Sequence, residues 1–343
     1  MQRKFVAFIL VVLVGGASGA AASSAMASDA NGSIVGAGST LVAPLMAKWS
    51  QDFESRFNIR VTYGAVGSGA GIAQISARTV DFGASDAPLT GAQAAGCHGC
   101  VQIPWALTAT GVAYHVNGLK RLNLTGPVIA QIYLGHITNW NDPSIRKINK
   151  GVNLPNLKIT PAFRSDGSGD TYAFTDWLSR VSAPWKSKVG TSTAVSFPTG
   201  VGGKGNDGIS AVVSSTNGSI GYISAAYIIA HNLAPAALQN RAGKFVFPNL
   251  RNIAAAASLI KKVPASNEMH IVNPPKSLTT AYPLSTFTYV IVPTSTGKKD
   301  LLRKFILYAM NTGQKFGPAL DFAPIPRVVY KAARATVINK VHP

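Results

Sequence analysis

Apolar residues recur along this chain in two periods, and short polar, glycine-rich stretches sit where one period hands over to the other. Ser33 to Gly36 reads as a short strand. Beyond Thr40, Leu45, Trp49 and Phe53 recur at four-residue spacing with Met46 alongside, which is the apolar stripe of one helix, and Pro44 suits its first turn. Ile59, Val61 and Tyr63 alternate as a strand. A short helix over Ile72 to Ala77 follows, then a buried strand over Val80 to Ala84 that delivers Ser85 and Asp86 at its end. Ile103 to Val116 is a long extended stretch with alternation through Val112 and Tyr114. Pro127 to Tyr133 reads as a helix capped by Thr125. Leu157 to Phe163 is a strand, and Thr171 to Val181 a helix with Phe174, Trp177 and Leu178 on one face. A helix at Ile209 to Ser214, strands at Ile220 to Ile223 and Phe287 to Val292, and a helix from Lys299 to Asn311 complete the reading.

The recurring order of strand, polar loop and helix predicts an α/β protein with an open sheet. In such sheets ligands bind beyond the carboxyl ends of the strands. Ile103 to Val116 and Phe287 to Val292 read as two crossings. They predict a discontinuous first lobe, residues 28–112 and 281–343, around an inserted second lobe, residues 113–280, with a ligand cleft between them.

Three of the polar stretches share one grammar: Gly36-Ala37-Gly38-Ser39-Thr40, Gly67-Ser68-Gly69-Ala70-Gly71 and Arg164-Ser165-Asp166-Gly167-Ser168-Gly169-Asp170-Thr171. Each precedes a helix and offers hydroxyls with unpaired backbone N–H groups, the means of holding a small anion at a helix N-terminus. Any one such loop is as well explained by turns and close packing. None ends in the Gly-Lys-Ser/Thr of a mononucleotide loop, and none carries the dinucleotide spacing with its acidic partner, so the expected guest is a bare tetrahedral oxyanion. Arg164 is its natural cation, and Asp166 is placed to hold the guanidinium. Ser39, Thr40, Ser68 and Ser168 supply hydroxyls, and Leu41 and Gly169 supply N–H donors.

Asp86 identifies the anion. A carboxylate beside a fully ionised oxyanion is repulsive unless a proton lies between them. Phosphate and arsenate keep a proton near neutral pH and sulfate does not, so an ionised Asp86 accepts from the former and opposes the latter. The competing reading makes Asp86 the starter of a turn at Ala87-Pro88.

Composition narrows the setting. Arg3 and Lys4, the apolar run Phe5 to Val14 and the small residues ending at Ala25-Met26-Ala27 read as an export signal over residues 1–27. The run is too short to span a bilayer, and no cysteine near the cleavage pattern suggests a lipid anchor. A soluble exported protein is expected. Basic residues number 32 against 13 acids, and trimming the signal leaves about +17. The cations are scattered and no nucleic-acid motif appears, so nucleic acid is not an expected partner; an acidic surrounding, where carboxylates gain a protein little, is one account of the imbalance. Cys97-His98-Gly99-Cys100 is expected as a disulfide, because extended sequence follows it and no further ligands with zinc spacing accompany it.

At these residues the sequence resembles the phosphate-binding proteins of phosphate-specific ABC transporters, the PstS family. The matching pieces are Gly36 to Leu45, Val80 to Leu89, Ile132 to Asp142, Arg164 to Gly169, Gly200 to Ile209 and Gly218 to Tyr222, in family order through nearly the whole mature chain. The resemblance implies a periplasmic-binding-protein fold of type II, with two lobes, two hinge crossings and phosphate dehydrated in the cleft. Carried over by motif, the contacts would be Thr40, the backbone of Leu41, Ser68, Asp86, Arg164, Ser168 and Gly169. The implied function is a periplasmic phosphate receptor, monomeric and without cofactor or metal, that delivers its ligand to a membrane permease. The alternatives are a phosphate-ester hydrolase, which would need a metal cluster or a histidine beside a nucleophile, and a basic adhesion protein. Two departures stand out. Leu41 replaces the family's usual aromatic, which leaves its N–H in place. Asp170 replaces the usual Thr or Ser, with Thr171 the next hydroxyl. Asp170 reads either as a solvent-facing acid favoured by the helix dipole or as a second proton acceptor that would favour a doubly protonated anion.

Overall fold

The computed structural model describes residues 32–342; the export signal and cleavage pattern lie outside them. The main sheet runs in the order Arg60–Ala65, Ser33–Gly38, Phe82–Ser85, Ser285–Pro293, Cys100–His115, Ser219–Ser224, Thr160–Arg164, Val201–Gly203. The first three strands are parallel. Ser285–Pro293 is antiparallel both to Phe82–Ser85 and to the first part of Cys100–His115. From Thr110 onward that long strand pairs instead with Ser219–Ser224, which lies parallel to Thr160–Arg164, itself parallel to Val201–Gly203. One 16-residue strand therefore serves both halves, changing partner between Ala109 and Thr110. It is buried from Val101 to Tyr114, which is why its sequence is almost continuously apolar and not cleanly alternating.

Each half has its own core, and the fold is two-lobed. In the first lobe Trp49, Phe53, Phe82, Trp105 and Phe305 pack together, with Trp49 edge-on to Trp105 at 5.2 Å. In the second, Tyr133, Phe174, Trp177, Trp185 and Tyr222 do so, with Phe174 stacked on Tyr222 at 4.3 Å. Each buried aromatic contributes roughly 2–3 kcal/mol relative to exposure. Four of the five indole N–H groups are paired, among them Trp49, which donates to the Gly313 carbonyl at 2.9 Å, and Trp140, which donates to that of Gly218 at 3.0 Å.

Four helices start just beyond the carboxyl ends of strands: Ala43–Phe57, Ser68–Ser76, Gly169–Val181 and Gly205–Ser215. Two start four residues earlier than their apolar stripes predict, at Ser68 and Gly205, because their first turns are glycine-rich. The glycines are there for contact: a Cβ on Gly71 would lie 2.4 Å from the Gly38 Cα. The strand expected from Leu157 begins at Thr160, and further helices at Gly91–Gly96, Leu250–Ala257 and Arg327–Lys340 went unread in the sequence. Cys97 and Cys100 form a disulfide at the entry to the long strand. Among the described residues no helix is long and apolar enough to cross a membrane.

Candidate anion site between the lobes

The first three polar loops converge where the lobes meet. Gly69 N–H donates to the Gly167 carbonyl at 2.9 Å and Gly169 N–H to Ser68 Oγ at 3.2 Å, both across the cleft. The approach is close enough that a Cβ on Gly169 would lie 2.5 Å from that of Asp86. A fourth glycine-rich stretch, Gly202-Gly203-Lys204-Gly205-Asn206-Asp207-Gly208, joins them: Asn206 donates to Thr40 Oγ1 through its backbone at 3.2 Å and its side chain at 2.8 Å.

Asp86 is 2 % exposed and takes no part in capping its turn. Ser85 does that, accepting from Ala87 N–H at 3.1 Å. The Asp86 carboxylate instead accepts from Ser39 Oγ at 2.7 and 2.6 Å and from Ser68 Oγ at 3.4 Å. Ser39 Oγ in turn accepts from the N–H groups of Leu41 (3.0 Å) and Val42 (3.3 Å), so its one proton is directed at Asp86. The Leu41 and Gly169 N–H groups, expected to face an anion, thus rest on hydroxyls. Burial first, and the Asp170 charge second, push Asp86 up to about 7, against the hydrogen bond of Ser39 and the charge of Arg164.

Arg164 comes from the end of its strand with 5 % exposure. Its Nε and Nη2 fork onto Asp166 at 2.8 and 2.5 Å, and its Nη1 reaches Asp170 at 3.1 Å. Asp166 also accepts from Gly205 N–H at 2.9 Å. Burial would raise its carboxyl, but the Arg164 hydrogen bonds and charge outweigh that and hold it below its ordinary value. Two of the five guanidinium N–H groups remain outside these ion pairs.

Asp170 lies in the first turn of its helix but does not face solvent; it is 1 % exposed. Its Oδ1 accepts from Thr110 Oγ1 at 2.6 Å and its Oδ2 from Arg164 and from Asn206 Nδ2 at 2.9 Å. Burial raises its carboxyl, opposed by the Arg164 charge and then by the Thr110 and Asn206 bonds. The neighbouring hydroxyl, Thr171 Oγ1, lies 2.7 Å from Tyr222 OH, which accepts from Arg164 N–H at 2.9 Å. Thr171 therefore supports the arginine's backbone. Ser168 caps the helix, its Oγ accepting from Thr171 N–H at 3.2 Å.

All eight expected ligand residues and the three supporting ones thus sit around one interlobe junction. Sequence reasoning passed over Thr110, Asn206, Tyr222 and Ser224. Asn206 had a signal, since it lies in a glycine-rich loop of the same kind; Thr110, within an apolar strand, had none. Among the described residues no group of His, Cys, Asp or Glu could hold a metal ion.

Fold and junction together define a two-lobed α/β binding protein of the periplasmic class. The family model of the PBP superfamily domain matches residues 22–312. The chain is 38% identical over 309 residues to a phosphate-binding protein PstS of Xylella fastidiosa, covering 88% of this chain and 84% of that one. It is 38% identical over 307 residues to the PstS of Pasteurella multocida, covering 88% and 89%. The chain belongs to the PstS family. In fold it is similar to the high-affinity periplasmic phosphate-binding protein PfluDING solved with phosphate, with a TM-score of 0.72 at 19% identity, covering 91% of this chain and 99% of that one. A phosphate-binding protein from Stenotrophomonas maltophilia gives a TM-score of 0.71 at 18% identity, covering 88% and 93%.

Proposed function

We propose that the protein is a periplasmic receptor for inorganic phosphate that delivers its ligand to the permease of an ABC importer. The observation that carries this reading is Asp86, a buried carboxylate at the junction of two lobes, surrounded by hydroxyls and helix N-termini that otherwise favour an anion. Such a pairing suits an oxyanion that brings its own proton. Arg164 offers its two remaining N–H groups and Thr40, Ser68 and Ser168 their hydroxyls; the Leu41 and Gly169 N–H groups, which rest on the Ser39 and Ser68 hydroxyls, turn to the ligand as it enters. Asp86 accepts a ligand proton, and Asp170 is placed to accept a second. Ser39, Asp166 and Thr171 hold these groups in place.

Closure turns about the strands Cys100–His115 and Ser285–Pro293, and the closed pair of lobes is the surface a permease reads. We divide the chain into residues 28–112 with 281–343 and residues 113–280, the first limit falling three residues past the change of partner in the long strand. The protein acts as an exported monomer and turns nothing over: a cleft that engulfs free phosphate has little room for the alcohol of an ester. Phosphate and arsenate share the chemistry it reads.

The test is calorimetric titration with phosphate of the wild type and of Arg164→Lys, which keeps the charge and loses the fork. The expected loss is roughly ten- to a hundredfold in affinity, the value of one or two charged hydrogen bonds. Equal affinities, or steady hydrolysis of a chromogenic phosphoester abolished by the substitution, would overturn the reading.

A further inference from the structure

The geometry points to Asn206 as the residue that fixes the hydrogen-bond polarity of the site, making Thr40 a donor toward the ligand and Asp170 an acceptor. The inference rests on the receptor reading above. Asn206 is fully buried, and its side chain has no freedom to flip: Oδ1 accepts from Ser224 N–H at 2.8 Å, an obligate donor. The NH2 group must then face the cleft, giving one proton to Thr40 Oγ1 at 2.8 Å and the other to Asp170 Oδ2 at 2.9 Å.

Lone pairs decide what each neighbour can then do. Thr40 Oγ1 also accepts from the Asn206 backbone N–H at 3.2 Å, so both its lone pairs are engaged. Its single proton is left for a third partner, and an oxyanion in the cleft is the acceptor that suits it. Asp170 Oδ2 meets two obligate donors, Asn206 Nδ2 and Arg164 Nη1, so no proton can reside on that oxygen. Asn206 belongs to the second lobe and Thr40 to the first, so this orientation is set as the lobes close. An amide therefore does what an equally sized carboxylate at position 206 could not.

Asn206→Asp is the isosteric reversal. Ionised, the introduced carboxylate would draw the Thr40 proton to itself and repel Asp170. Protonated, it donates again. The charged groups around position 206 are Asp170, Arg164, Asp166 (which accepts from Gly205), Lys204 and Asp207 on its own segment, and Asp86, whose field reaches Asp170. The negative groups among them delay ionisation of the introduced carboxyl, which places its titration within a measurable range.

Phosphate titrations of wild type, Asn206→Asp, Thr40→Val and the double variant, each checked for a native melting transition, test this. Wild-type binding measures the receptor reading; ratios between variants measure Asn206. Asn206→Asp should weaken phosphate about a hundredfold at mildly alkaline pH. Relative to wild type it should recover at least about tenfold on acidification, and it should cost much less in the Thr40→Val background. Asn206→Ala, which leaves the Thr40 proton free to reach the ligand, should cost less than Asn206→Asp. A native-like Asn206→Asp whose deficit does not change with pH, or whose cost is the same with and without the Thr40 hydroxyl, would overturn the assignment.

Discussion

At the scale of single residues, the junction gathers more negative charge than positive. Asp86, Asp166 and Asp170 surround Arg164, and burial raises the first and last of these carboxyls. Asp86 rises from the usual 3.8 to about 7, so between those values the folded protein holds a proton that the unfolded chain has lost. Stability from the neutral acid is therefore fully present below about pH 4 and lost as pH rises through about 7. Asn at this position carries no such dependence. Ligand-free Asp86→Asn should match the wild type in mild acid and exceed it in mild alkali by at most about 4 kcal/mol, read from melting curves across pH. A wild type that gains stability on Asp86→Asn equally at all pH values would show that ionisation is not the cause. The compact motifs made these residues legible: Ser39, Asp86, Arg164 and Asp166 are few positions apart from the groups they join or sit at strand ends. Thr110 was not, because it sits inside an apolar strand 60 positions from its partner Asp170, whereas Asn206 was passed over although its glycine-rich stretch carried the same signal as the others.

Among the elements, the apolar stripes gave the helices and the buried strands, and the glycine-rich turns hid where two helices begin. Gly69 and Gly71 interrupt the stripe after Ser68, so the periodic signal starts at Ile72, although the backbone is already helical. Short helices such as Gly91–Gly96, with no buried residues, carry no stripe to read. The glycines matter at the lobe contact. Gly169→Ala adds a methyl where the nearest atom is the Asp86 Cβ, at 2.5 Å, while alanine itself favours the first turn of a helix. Overpacking of this kind costs about 1–3 kcal/mol and acts on closure. The variant should keep a native circular dichroism spectrum and bind phosphate roughly ten- to a hundredfold more weakly; unchanged affinity would mean that the lobes do not need this approach.

For the molecule as a whole, two crossings in the sequence sufficed to anticipate a divided protein, while the change of partner at Thr110 belongs to sheet geometry that no local pattern encodes. The strong basic surplus, +19 over the full sequence, acquires a role beside the acidic junction. Scattered cations cannot neutralise buried carboxylates pairwise, but their summed field draws an anion toward a cleft whose own ionisable groups repel it. Phosphate association should therefore slow as salt is raised, with dissociation nearly unchanged, in stopped-flow measurements. Association that quickens with salt would assign the dominant field to the carboxylates.

The central claim is that Asp86 selects an anion carrying a proton. Calorimetric competition between phosphate and sulfate near neutral pH, on the wild type and on Asp86→Asn, tests it most directly. Opposed buried acceptors cost several kcal/mol, so the wild type should prefer phosphate by more than about a thousandfold. Asp86→Asn, which presents a donor as well as an acceptor, should narrow that preference by at least about tenfold. Sulfate binding as tight as phosphate in the wild type, or selectivity untouched by Asp86→Asn, would contradict the account.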